Sequence, residues 1–182
     1  MKWKKTVSIL KSEFKVKDMG QLNWLLGIQI EYTSYAFKLS QTAYIDRMLN
    51  RFSMQSCNPV SSPTDQSKPL MAARDEEPHI DTTLYQQMIG SVMYLVSGTR
   101  PDLAYTISHL SQYNTDPTVA HLQAIKRVLR YLKGTRNLKL IYKFKNPIIL
   151  HGFCDASYGN CLDTRRSFSG YVFQLGSASI FW

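Results

Sequence analysis

Asp155 lies near the end of an apolar, strand-like run, Ile148-Ile-Leu-His-Gly-Phe-Cys-Asp-Ala-Ser157, and a small-residue turn follows it. A carboxylate at a strand end can ligate a divalent cation. Two-metal phosphoryl chemistry, however, needs several oxygen ligands converging on ions roughly 3.5–4 Å apart. One aspartate cannot supply them, and its plain alternative is a turn residue after a strand. Arg165 and Arg166 flank the turn leading into a second strand-like run, Ser167 to Leu175. They can reach a phosphate near Asp155 or simply decorate a hairpin.

A second set of residues is purely cationic. Lys126, Arg127, Arg130, Lys133 and Arg136 lie opposite a Leu122, Ile125, Leu129, Leu132 stripe, and no acidic residue occurs from Thr118 to Arg136. Such a single-signed helical face can contact a nucleic-acid backbone, giving sequence-independent and salt-sensitive affinity. The alternative is a solvated amphipathic face. Arg127-Val-Leu-Arg130 also spells R-x-L-R, the tetrad of host-translocated oomycete effectors, although here it falls on a mid-chain helix rather than shortly after a leader. His79, His109, His121 and His151 show no metal-ligand spacing. Trp3, Trp24 and the tyrosines can stack on bases or pack in a core. No Gly-rich phosphate loop is present.

The elements that must position these groups follow from periodicity. Residues 4–14 read as a short helix with Val7, Leu10 and Phe14 on one stripe, broken by Asp18-Met-Gly. Asn23 to Glu31 and Ala36 to Ser40 read as two strands of a hairpin, and Gln41 to Phe52 as a helix. From Ser53 to Asp81, four prolines and the charged cluster Arg74-Asp-Glu-Glu77 mark a linker or extended arm, too long for an ordinary compact connection. Three helices follow: Thr83 to Val96, Arg100 to Tyr113 with Pro101 in its first turn, and a third ending at Gly134. Asp116 is expected to cap the third, with Pro117 in its first turn. The last strand-like run is Ala178 to Trp182.

Bulk properties set the class. A 44% hydrophobic chain of 182 residues can bury a real core, and a net charge of +9 favours an anionic partner, nucleic acid before a membrane surface. Cys57, Cys154 and Cys161 are odd in number and lack C-x-x-C spacing, which argues against a disulfide framework or zinc site and suits a reducing compartment. No signal peptide and no apolar run of the roughly 18–20 residues of a membrane span is seen. The expected address is intracellular, cytoplasmic or nuclear, with no membrane partner.

Several motifs then resemble one family in its own order. Phe14-Lys-Val-Lys-Asp-Met-Gly-Gln-Leu22 and Leu25-Leu-Gly-Ile-Gln-Ile30 resemble the segment after the catalytic palm of copia-type retrotransposon polyproteins. Ile89-Gly-Ser-Val-Met-Tyr-Leu95, Thr99-Arg-Pro-Asp-Leu103 and Lys126-Arg-Val-Leu-Arg-Tyr-Leu-Lys-Gly-Thr135 continue it. Asp155-Ala-Ser and Asp163-Thr-Arg-Arg-Ser-Phe-Ser-Gly-Tyr171 resemble the opening of that family's RNase H domain. Ser157-Tyr158 and Asn160 depart from the family's usual Asp-Trp and Asp.

The resemblance implies an α+β fold: the hairpin and helices of a reverse-transcriptase thumb and connection, followed by a truncated RNase H-like mixed sheet. The expected organisation is a primer-grip-like hairpin and thumb-like helix over 1–52, an arm over 53–82, a three-helix connection-like region over 83–136, and an incomplete RNase H-like domain over 137–182. The parent activity would be RNA-directed DNA synthesis with degradation of the RNA/DNA hybrid, using Mg2+. Asp155 would be the first metal ligand, here vestigial and catalytically idle. No Tyr-x-Asp-Asp pair occurs in the chain, and the remaining nuclease carboxylates are expected after Trp182. The chain alone is thus expected to be catalytically inactive, to bind nucleic acid at most and no Mg2+ stably, and to self-associate through an unfinished sheet. The competing expectation is an exapted interaction protein, including a secreted RxLR-type effector.

Overall fold

A computed structural model describes residues 2–17, 19–65, 67–74, 77–78, 80–145 and 147–182. Asp18, Asp75, Glu76 and His79, used above as punctuation, cluster or candidate ligand, lie outside them, as does the side chain of Trp3. The chain runs α1 (Lys2–Glu13), β1 (Trp24–Leu25), β2 (Ile28–Tyr32), β3 (Ala36–Ser40), α2 (Thr42–Arg51), α3 (Thr82–Gly98), a 3-10 turn (Pro101–Leu103), α4 (Ala104–Ser111) and α5 (Val119–Gly134). It ends in β4 (Leu140–Lys143), β5 (Leu150–Ser157), β6 (Phe168–Leu175) and β7 (Ala178–Phe181).

Two sheets form, β1-β2-β3-β4 and β5-β6-β7, and every pairing in them is antiparallel. The described strands thus include none of the parallel pairings that a mixed sheet requires. Asn23 to Glu31, expected as one strand, is two. Leu26 and Gly27 both take positive φ, 49° and 71°, and fold the run back so that Leu25 pairs Ile28. Two consecutive left-handed residues are the geometry of a tight hairpin turn, for which Gly27 is suited and Leu26 is not. The Tyr94 hydroxyl donates to the Leu26 carbonyl and holds that turn against α3.

β4 was not anticipated. It pairs with β3, setting Leu39 opposite Leu140 and Phe37 opposite Tyr142, whose rings stack at 4.8 Å. The first sheet therefore draws a strand from the segment grouped above with the C-terminal strands. The second sheet leans on it: the Tyr142 hydroxyl donates to the Ser179 carbonyl at 2.6 Å, and Ser177 Oγ donates to the Ile141 carbonyl at 3.0 Å.

The core lies among the helices. Ile45, Met48 and Leu49 of α2 meet Tyr85, Met88, Ile89, Val92 and Leu95 of α3, Ile107 and Leu110 of α4, and Ile125, Val128, Leu129 and Leu132 of α5. Each of the fully buried aliphatic side chains contributes about 1.5–3 kcal/mol. Local chemistry fixes the helix starts. Asp81 accepts hydrogen bonds from the Thr83 and Leu84 amides at 2.8 and 3.3 Å and caps α3. α5 is capped by Thr118 rather than by the expected Asp116. Pro117 gives its carbonyl to the Ile80 amide, so the helix begins after it, and His121 Nδ1 accepts from the Thr118 amide at 2.9 Å in a capping box. The expected Arg100–Tyr113 helix is a 3-10 turn followed by a shorter α4.

Between α2 and α3 the described residues form neither helix nor strand, yet the segment is held along its length. The Leu70 carbonyl accepts from the Tyr113 hydroxyl at 3.1 Å, and the Met71 carbonyl lies 3.0 Å from His121 Nε2. The Ala72 amide donates to Asp163 Oδ2 at 2.9 Å. The arm is a strap laid over α5. By contrast, α1 leaves its stripe uncovered, with Leu10 and Phe14 both exposed.

Candidate nucleic-acid interface

The basic face of α5 explains how the strap is held. Lys133 Nζ donates to the Cys57 carbonyl at 2.6 Å, Arg130 Nε to Asn58 at 2.7 Å, and Arg127 Nε to Ser62 at 3.2 Å. Arg127 also stands 3.7 Å from Asp65, whose carboxyl is held below its usual range by the Ser67 hydroxyl and amide, with the Arg127 charge adding to this. Arg136 pairs with Asp46 at 3.2 Å, both about half exposed, an ion pair of the kind worth about 0–1 kcal/mol. Lys126 is exposed. The five cations share one helix as expected, but three of them point into the strap.

Asp155 sits within β5 opposite Gly170 rather than at the strand end, and it is exposed. Arg165 and Arg166 lie in the β5–β6 turn, beyond the last rung, Ser157 opposite Phe168. That turn is closed by its own backbone: the Arg165 amide donates to Cys161, and the Cys161 amide to Arg166. Among the described residues no three His, Cys, Asp or Glu side chains come together where a metal could bind. The residues present do not fit a Mg2+ site, and no chemical step is drawn through one.

A different surface combines the features of a ligand groove. α2 and α3 enclose an open cleft of about 510 Å³ lined by Gly27, Tyr44, Arg47, Arg51, Gln87, Gly90, Ser91 and Tyr94. The Tyr44 and Tyr94 rings meet at 4.9 Å, and Tyr44 is fixed by its hydroxyl donating to the Ser91 carbonyl at 3.2 Å. Arg47 and Arg51 stand one helical turn apart on the exposed side of α2, and Arg51 donates to Gln87 Oε1 at 2.9 Å. Gly90 lies mid-helix, and a Cβ there would meet nothing within 4 Å. A helical glycine costs about 1 kcal/mol relative to alanine, and no packing inside the chain requires this one. Arg47, Arg51 and Gly90 were not singled out from sequence. The available signals were an i, i+4 arginine pair opposite an apolar stripe and a glycine inside an otherwise well-formed helical pattern.

Thr99-Arg-Pro-Asp102, in contrast, is structural. Arg100, 2% exposed, forms a two-pronged pair with Asp102 at 2.9 and 2.7 Å and also donates to the Thr135 carbonyl and hydroxyl. Burial pushes the Asp102 carboxyl up. The Arg100 hydrogen bonds and charge, joined by the Tyr131 hydroxyl at 2.9 Å, outweigh that and hold it below the usual range. The motif bolts the end of α3 to the end of α5.

Comparisons with known proteins follow the same order of motifs. Residues 2–66 match the family model described as reverse transcriptase (RNA-dependent DNA polymerase). The chain is 38% identical over 177 residues to the retrovirus-related Pol polyprotein from transposon RE1 of Arabidopsis thaliana, covering 97% of this chain and 12% of the relative. It is 35% identical to an uncharacterized mitochondrial protein of the same plant, covering 95% of this chain and 71% of that protein. It is 42% identical over 98 residues to secreted RxLR effector protein 161 of Plasmopara viticola, covering 54% of this chain and 69% of the relative. No solved structure matches it significantly. The chain thus spans about an eighth of the length of the transposon polyprotein it matches, and it belongs to the copia-type reverse transcriptase family of retrotransposon Pol polyproteins.

Proposed function

We propose that this chain supplies a nucleic-acid-contacting surface of a retrotransposon reverse transcriptase and carries no polymerase or nuclease chemistry by itself. The observation behind this reading is the α2–α3 cleft, where two fixed tyrosine rings, two arginines and the open space over Gly90 converge. Arginines there can meet phosphates while the aromatic floor meets sugars or bases, and the bare helix backbone at Gly90 permits close approach. The net charge of +9 supports an anionic partner, of which an RNA/DNA hybrid is the family's own. Lys126 and the uncommitted donors of the α5 arginines would extend that surface. The thumb-like, connection-like and RNase H-like assignments belong to this reading, with Asp155 as a metal ligand only in a longer protein.

Fluorescence anisotropy with a labelled RNA/DNA hybrid tests it. Binding should fall steeply as salt rises. The double change Arg47→Ala and Arg51→Ala should weaken it at least tenfold and flatten the salt slope by about 2. Gly90→Gln should weaken binding without lowering Tm. Unaltered binding in both variants would remove the cleft from the reading. Hybrid cleavage in Mg2+ that Asp155→Asn abolishes would overturn the absence of nuclease chemistry.

The effector alternative carries less support. Arg127 and Arg130 are engaged with the strap and Leu129 is fully buried, so the folded chain does not present its R-x-L-R tetrad as an accessible segment. No helix among the described residues is long and apolar enough to cross a membrane.

A further inference from the structure

Strand edges are usually blunted with lysine, proline, a bulge or a covering element, because a bare edge templates pairing with another chain. The two edges of the β5-β6-β7 sheet differ in this respect. β7 is covered, since the Ser179 carbonyl accepts from Tyr142 and Ser177 bonds with both Ile141 and Lys143 of β4. β5 is the opposite edge, and β6 is its one partner strand among the described residues. It runs eight residues in unbroken register, without lysine, proline or bulge, and its residues 150–156 are all exposed. The register shift in this sheet lies instead between β6 and β7.

We propose that β5 pairs with β5 of a second copy of this chain, antiparallel about a two-fold axis at Phe153, joining two three-stranded sheets into one of six. Leu150-His-Gly-Phe-Cys-Asp-Ala-Ser157 is self-complementary in that register. Phe153, 57% exposed, meets its own copy, and Gly152 meets Cys154. His151 of each chain falls opposite Asp155 of the other, on the same face as Phe153. An imidazole can donate to a carboxylate in either its neutral or its protonated form. Asp155, the charge that would guard a lone edge, therefore finds a partner twice in the pair, and opposite-polarity cross-strand pairs of this kind favour one register over its neighbours. The aromatic cluster of Tyr171, Phe173 and Phe181 lies on the other face and is carried along without forming the contact.

This pairing does not rest on the nucleic-acid reading and is measured without nucleic acid. Sedimentation of the whole chain across a concentration series should show reversible formation of a species of twice the 20.9 kDa monomer. Phe153→Lys sets two cations on the axis and should abolish it. His151→Asp, which faces two carboxylates together at each end, should raise the dimer Kd at least tenfold. Adding Asp155→His should return the Kd to within about threefold, which a merely structural role for either residue would not do. Phe153→Cys in a Cys154→Ser background should cross-link on mild oxidation, because directly opposed strand residues lie within disulfide reach. That variant decides the matter should Phe153→Lys fail to fold. A monomer at every concentration, no cross-link, or association that survives Phe153→Lys and thus assigns it to the aromatic face, overturns the proposal.

Discussion

Arg130 Nε stands 2.7 Å from the carbonyl oxygen of Asn58, so a helical side chain fixes backbone from the far end of the preceding connection. Together with Lys133 on Cys57 and Arg127 on Ser62, it converts a proline-rich stretch without helix or strand into an ordered layer. Hydrogen bonds from charged donors typically contribute about 1.5–3 kcal/mol each. The Arg130→Ala, Lys133→Ala double variant should therefore be nicked by protease within residues 57–65 at least several-fold faster than the parent. Equal cleavage rates would mean that the strap is held by packing alone.

The two glycines of α3 at positions 90 and 98 should respond oppositely to alanine. Open space at Gly90 means that Gly90→Ala gains helix propensity, about 0.5–1 kcal/mol, and raises Tm. At Gly98 the new methyl would stand 2.9 Å from Cδ of Gln41, a side chain only 2% exposed that accepts a hydrogen bond from the Thr99 hydroxyl. Gly98→Ala should cost about 1–3 kcal/mol by overpacking. Thermal melts of the two variants read the difference directly, and a shift of the same sign in both would contradict it.

Breaking the Arg100–Asp102 pair from one side should be severe. Asp102→Ala leaves a guanidinium buried with its main partner gone, a loss of about 3–5 kcal/mol. Replacing both residues, Arg100→Met with Asp102→Leu, removes the stranded charge as well. It should be less damaging than the single change in urea unfolding. A double variant as unstable as the single one would show that the pair's other bonds, to Thr135 and Tyr131, dominate.

His121 should make stability sensitive to mild acid. Burial lowers its pKa below the ordinary 6.5, against opposing contributions from the Met71 carbonyl and nearby carboxylates. Its Nδ1 must stay unprotonated to accept the Thr118 amide. A depressed folded-state pKa means that this contribution is fully present above about pH 6.5 and is lost as pH falls through the folded value. The urea midpoint should accordingly drop between pH 7.5 and 5. His121→Gln, which keeps an acceptor at the capping position, should flatten that drop. His109, whose pKa burial also lowers, supplies the residual slope.

What was legible in the sequence was mostly local. α2 and α3 were readable to within a residue or two because their apolar positions recur at three and four, and Pro101 marked the turn before α4. The strands around Asp155 were readable from alternation and a small-residue turn. Contacts between distant segments were not. Leu140–Lys143 is too short to announce itself, and it becomes a strand only because β3 lies beside it with Phe37 ready to stack on Tyr142. The basic run on α5 was correctly placed on one helix. Its occupation by carbonyls of the strap depends on how a stretch with no periodicity folds back, which no pattern encodes. His121 as a capping partner was hidden because glutamate or glutamine is the usual residue there. The cleft at Gly90 needed two helices to be set side by side.

β3 and β4 are neighbours in the first sheet although the whole helical core separates them along the chain. Residues 41–139 are therefore an insertion with both ends anchored at one place, like a bead hung on a closed clasp. A tight two-residue turn joining Ser40 to Leu140 should leave the four-stranded sheet pairable, and the excised stretch should have its termini close enough to be rejoined in a new order. Any tilt of the helical bead, such as one produced by a ligand in its cleft, would pull on two adjacent strands at once and so move the hairpin as a single piece.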